Sequence, residues 1–206
     1  MAEKPALHEY ASTAFLEALL RVNAAEPLSE LGRYDEALAL LDFRSEHALV
    51  EGGRRCSRAW SLTMLGRAGE ARALLENVDA VQLYDYQCEY WLTLAFVHRE
   101  SQSLDDCEAA LHNADQTVVR AASERNLAFH GAELHRARGD VTRALAHYEA
   151  GARHRWRWQG GSGLLNWGTL LAELGRHDEA RAGWLQCVTQ APLSLAAGEA
   201  KRRLES

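Results

Sequence analysis

LGRYDEAL at residues 31–38 returns as LGRAGEA at 65–71, RGDVTRAL at 138–145 and LGRHDEA at 174–180. A worn copy, QSLDDCEAAL, occupies 102–111. Numbered by Gly32, Gly66, Gln102, Gly139 and Gly175, the copies lie 34, 36, 37 and 36 residues apart. A period of this size marks a structural unit that stacks on copies of itself. Each glycine follows one apolar helical segment and precedes another. It suits a tight turn in which the backbone needs a positive φ. Asp or Glu follows close behind, where the start of the next helix favours negative charge. Each copy therefore reads as helix, tight turn, helix.

Small residues recur in phase with the turns. Ala25, Ala59, Ala95, Ala132 and Gly168 share one position of the first helix, and Ala37, Ala71, Cys107, Ala144 and Ala180 share one of the second. Two helices approach closely only where side chains are small. Larger residues three or four positions away lie on the same face and fill the gaps. The core is thus predicted as a layer in which each unit contacts mainly its neighbours.

These features resemble the tetratricopeptide repeat family, whose pattern runs W-x2-L-G-x2-Y, then A-x3-F, then P. Residues 161–192 match it best, with Leu164, Trp167, Gly168 and Leu171, then Ala180 and Trp184, then Pro192. Weaker matches are Trp91, Leu94, Ala95 and His98; Ala128, Gly131, Ala132 and His135; Ala59 and Leu62; and Ala24, Ala25 and Leu28. The resemblance, to a bacterial member of the family, implies an all-α, right-handed superhelical solenoid of about five helix–turn–helix units with N- and C-terminal capping helices. One domain spans 1–206, with repeats at about 18–51, 52–86, 88–121, 125–158 and 161–192 and a capping helix at 193–205. Residues 6–22 are expected to supply the N-terminal helix, either as a cap or as the start of the first unit. The C-terminal one is expected to turn Leu195 and Leu204 inward. Pro27 departs from the pattern; inside a helix it removes a hydrogen bond and clashes with the preceding turn, so the first helix is expected to end early or kink there.

In this family the first helix of each unit lines a concave groove. Carried onto this sequence by phase, the resemblance implies a groove formed by Trp60 and Met64, by Leu92, Phe96 and Arg99, by Phe129, Glu133 and Arg136, and by Leu165 and Thr169. That surface is aromatic and apolar, edged by charges of both signs, as interaction sites are. Trp60, Phe96 and Phe129 would be anchors, with Arg99 and Arg136 pairing acidic groups. The lysine–asparagine clamp by which some relatives hold a terminal carboxylate has no lysine here.

Composition narrows the function. Of 206 residues, 29 are acidic and 23 basic, for a net charge of −6. That balance disfavours nucleic acid and anionic membranes as partners. No apolar run approaches the eighteen or so residues of a membrane span, and MAEKPALHEY is not a secretory signal. Cysteines at 56, 88, 107 and 187 form no CxxC pair, which suits buried thiols in a reducing, cytoplasmic setting. ARHRWRWQGGSG at 152–163 interleaves arginine with tryptophan, a pattern that can grip single strands; read plainly, it is a helix end and a loop. His130 and His135 are five apart and do not share a face as the histidines of HExxH do. No catalytic residue, metal site or cofactor is expected. The expected protein is a chaperone-like adaptor that binds a hydrophobic or amphipathic peptide of another protein. The alternatives are a regulatory sensor whose solenoid bends on binding a peptide or small ligand, and a scaffold that assembles into homo-oligomers.

Overall fold

The computed structural model describes residues 12–76, 78–119, 121–154 and 161–206. Among them every regular element is a helix. In order these are α1 (Thr13–Glu30), α2 (Tyr34–Leu40), α3 (Ala48–Met64), α4 (Ala68–Leu75), a 3-10 segment (Ala80–Tyr86), α5 (Gln87–Glu100), α6 (Leu104–Gln116), α7 (Ala121–Ala137), α8 (Val141–Arg153), α9 (Gly161–Glu173), α10 (His177–Gln190) and α11 (Leu195–Glu205).

The repeated turn has one geometry. Gly32, Gly66, Gly139 and Gly175 have φ of 75° or 76°. The residue after each glycine donates its N–H to a carbonyl five positions back: Arg33 to Leu28, Arg67 to Leu62, Asp140 to His135 and Arg176 to Leu171, all at 2.8–2.9 Å. The glycine N–H bonds three positions back. This is the Schellman closure, which satisfies carbonyls orphaned at a helix end. Gln102, in the worn copy, makes the same turn with φ 61°, and Ser103 N–H reaches His98. Three of the turns add an ion pair across the start of the next helix, Arg33–Glu36, Arg67–Glu70 and Arg176–Glu179. These pairs are exposed and stabilise little, but they account for the recurring LGR-x-x-E spelling.

The chain divides into two compact units, residues 1–117 and 118–206. In the first, α1/α2, α3/α4 and α5/α6 are antiparallel hairpins, and each packs on the next through its first helix. Ala25, Ala37, Ala59 and Ala71 are fully buried and Ala95 nearly so. Gly52 lets Leu83 of the 3-10 segment lie directly on α3. The short α2 ends against α3, where Arg54 and Arg58 donate to the carbonyl of Leu41. In the second unit, α7/α8 and α9/α10 are hairpins and α11 covers α9 and α10. Its core joins Phe129, Tyr148, Leu164, Leu171, Trp184 and the small faces of Ala132, Ala144 and Ala180.

Three expectations are corrected. Pro27 does not end α1, which continues to Glu30. The proline forgoes one bond, that of its own missing N–H, and the ladder resumes behind it: its carbonyl accepts from Leu31 N–H at 3.1 Å. Residues 13–22 belong to α1, the first helix of the first hairpin, not to a separate capping helix; Leu7 and Tyr10 lie outside the described residues. Leu195 is 56% exposed. Ser194 caps α11 by accepting from Ala197 N–H, and the register that follows turns Ala196, Ala197 and Ala200 inward, with Leu204 partly buried.

Candidate functional site

The first helices of the first unit are in register. Counting back from each turn residue, Glu26, Trp60 and Phe96 hold one position on α1, α3 and α5, and Glu30, Met64 and Glu100 hold another. Contact between α1 and α3 is made beside these rows, where the hydroxyls of Ser29 and Ser61 lie 3.1 Å apart. Trp60 and Phe96 stack, with ring centroids 4.2 Å apart and planes 28° apart. The Arg99 guanidinium lies 5.3 Å from the centroid of the Phe96 ring and pairs with Glu100 at 2.8 Å. Tryptophan and guanidinium thus both pack on the one phenylalanine. Phe96 is 5% exposed and Leu92 4%, so both support the surface from beneath. Trp60 is half-buried and Met64 is 45% exposed; these two form the part of the row that a second molecule can touch.

Glu26 was missed in the sequence, although counting six residues back from Gly32 finds it. Oε1 of its carboxylate is buried and has no hydrogen-bond partner. Burial, and then the charge of Glu30 one turn on, push its pKa up to about 7. Burial raises Glu30 as well.

The second-unit residues form a polar network. Glu133 accepts from the hydroxyl of Tyr148 on α8 and, at 2.6 Å, from Asn166 on α9. Three helices therefore meet at one carboxylate. Tyr148 is fully buried, and burial with the Glu133 charge drives its phenol well above the ordinary range. Arg136 bridges to Glu173 of α9 at 2.8 Å. Phe129 is 6% exposed and sits in the core. Leu165 and Thr169 are half-buried, and the Thr169 hydroxyl donates to the Leu165 carbonyl. Sequence phase placed Glu133 on this face; Tyr148 and Asn166, on other helices, carried no signal of joining it.

No group of three or more His, Cys, Asp or Glu able to hold a metal ion occurs among the described residues. The four cysteines are free and buried. Burial pushes Cys56 up to about 12 and Cys187 up to about 11, so neither is a thiolate near neutrality. His135 stacks on His147 of α8 at 5.1 Å, and His98 is buried; both pack. No described helix is long and apolar enough to cross a membrane. The arginine–tryptophan segment, Arg155 to Trp158, lies outside the described residues.

A family model described as tetratricopeptide repeat matches residues 18–42 and 53–77, and a second of the same description matches 162–194. No curated protein matches. Among solved structures, one from Podosopora anserina, described as "kinesin light chain nearly identical TPR-like repeats", is similar at 19% identity, with a TM-score of 0.49 over 82% of this chain and 92% of that one. The matched segments coincide with the α1/α2, α3/α4 and α9/α10 hairpins, whose glycine turns and small interhelical residues the repeat pattern requires: these hairpins are tetratricopeptide repeats.

Proposed function

We propose that the chain is a non-enzymatic, cytoplasmic adaptor that holds a hydrophobic or amphipathic peptide segment of a partner protein against its first-helix faces. Tetratricopeptide repeats serve protein–protein interaction. The observation that carries the reading is the Trp60–Phe96 stack, backed by Arg99 and edged by the exposed Met64. Aromatic groups on a rigid base lose little entropy on binding and dominate interface energies. In the second unit, Leu165 and Thr169 are offered beside the Glu133 and Arg136 network. No cofactor, nucleic acid or membrane enters this reading.

Affinity capture from the host lysate tests it. The baits are wild type and the pair Trp60→Ala, Met64→Gln, with circular dichroism confirming that both are folded. Phe96 and Phe129 are left intact because they are buried. A protein held by wild type and lost by the variant supports the reading. Identical captures from both baits remove it.

A specific observation favours self-assembly as a second reading. Val50, Arg54 and Ser61 of α3, and Tyr90 and Val97 of α5, are buried where each hairpin meets the preceding one. The matching positions on α1 are Leu16, 48% exposed, Leu20, 67% exposed, and Pro27, also exposed. That end of the first unit is an apolar stripe of the kind repeat arrays cover. Sedimentation at rising concentration tests this: a dimer dispersed by Leu20→Glu supports it, and a strict monomer excludes it.

A further inference from the structure

The charges around the aromatic row point to the chemistry of its occupant. Glu26 on α1 shares the phase of Trp60, and Glu30 on α1 and Glu100 on α5 share that of Met64; Arg99 is paired with Glu100. The acids of α1 thus hold the phases that Trp60 and Met64 hold on α3. Glu26 holds a carboxylate oxygen that is out of water and accepts no hydrogen bond. A buried acceptor without a donor is costly, and a cation set beside the half-buried Glu26 side chain offsets the charge of its carboxylate. The indole beside it adds an aromatic face, which also attracts cations.

Geometry sets the spacing. Packed helices lie about 8–10 Å apart, so the axes that carry the α1 acids and the α3 tryptophan are spaced by about that much. An extended chain advances about 3.3 Å per residue, so two or three residues span the gap. We propose that the first-unit face selects a segment of a partner protein in which an arginine or lysine stands two or three residues from a large apolar side chain. The apolar group covers Trp60 and Met64, and the cation meets Glu26 and Glu30. This inference rests on the peptide-binding reading above and goes further by naming the charge and spacing of the ligand.

The test uses the full chain and a displayed library of random twelve-residue peptides. The library is sorted on wild type, with Trp60→Ala, Met64→Gln as the counter-selection bait. The best peptides are synthesised and titrated by fluorescence anisotropy against wild type and against Glu26→Gln, Glu30→Gln. The expected result is enrichment of a basic residue two or three positions from an apolar one. The glutamine variant should bind such peptides roughly tenfold more weakly, and added salt should weaken wild type by more than the variant. Glutamine keeps the shape and removes a buried charge, so loss of binding by misfolding is not expected, and a melting curve checks it. If the enriched peptides lack basic residues, or bind the glutamine variant within twofold of wild type, the charge inference is overturned while peptide binding stands. If no peptide is enriched over the counter-selection bait, the peptide-binding reading falls and this inference falls with it.

Discussion

Phe129 and Gly163 share one space in the second unit. A Cβ built on Gly163 would lie 2.6 Å from Phe129 Cδ1, and one on Gly151 would lie 2.8 Å from Cε1 of the same ring. The α7 aromatic is thus received by two glycines, one on α8 and one on α9. Both glycines lie within helices, where alanine is ordinarily better by up to about 1 kcal/mol. Here the steric term wins, because the obstacle is a ring buried on all sides. Gly163→Ala is expected to lower stability by about 1–3 kcal/mol. Phe129→Leu in the same chain should recover part of the loss, since the two changes act on one space. Thermal melts of the single and double variants check this, and strict additivity would show that the two sites do not share it.

Gln102 gives a prediction of opposite sign. It adopts the turn conformation that glycine takes elsewhere, with φ 61° against 75° or 76°. A side chain there costs about 1 kcal/mol or more because Cβ crowds the following carbonyl. Gln102→Gly is expected to stabilise the chain by about 0.5–1 kcal/mol, the relief of strain exceeding the added freedom of the unfolded chain. A denaturant midpoint that does not rise would place the strain elsewhere. By the same reasoning Gly66→Gln should lower the midpoint.

These two cases show what the sequence made legible. The turns were readable because glycine at a fixed interval has one main conformational use, and the Schellman bonds at Gly32, Gly66, Gly139 and Gly175 meet that expectation. Even the worn turn at Gln102 was readable from spacing alone. The small positions such as Ala59 and Ala180 followed from phase and are fully buried. Phase could not separate a face from a core. Phe129 and Trp60 both belong to first helices, yet one lies between two glycines and the other is half-buried on a surface. That difference depends on what neighbouring helices leave empty, which no single helix encodes. Glu26 escaped notice because Pro27 made α1 look broken where it is continuous.

The ion pair of Glu51 and Arg54 holds α3 to the end of α2. Arg54 is 7% exposed; its guanidinium bonds both oxygens of Glu51 and the Leu41 carbonyl. Burial pushes the Glu51 carboxyl up, but bonds from Arg54, Arg55 and the Ser45 N–H outweigh it and hold the group at about 2, below the ordinary 4.5. A lowered carboxyl pKa means that the unfolded chain binds more protons. Stability from this pair is therefore full above pH 4.5 and is lost as pH falls toward 2. Glu51→Gln leaves Arg54 buried with a weaker partner and should cost about 2–4 kcal/mol at pH 7. The difference from wild type should shrink steadily between pH 4.5 and 2. A constant difference across that range would mean that the charge on Glu51 contributes nothing.

Glu26 runs the other way. Its carboxyl is raised from 4.5 to about 7 by burial and by Glu30, so the folded chain holds a proton that the unfolded chain releases. Between pH 4.5 and 7 stability falls as pH rises, and above 7 the cost of the buried charge is fully present. Glu26→Gln removes that cost. With the shift discounted because the side chain retains contact with solvent, the gain at pH 8 is about 1–2 kcal/mol. For a chain of this size that is a rise in Tm of about 2–8 °C. At pH 4.5 and below the two melting curves should coincide, because both side chains are then neutral. Adding a basic peptide at pH 8 should narrow the gap, raising wild type by more than the variant, since a ligand that binds only the folded state stabilises it by an amount that grows with its affinity. Melts at pH 4.5 and 8, with and without peptide, separate the two contributions: an equal gain at both pH values would trace the effect to packing, and a gain at pH 8 that the peptide leaves untouched would mean that Glu26 is a buried charge with no partner to meet.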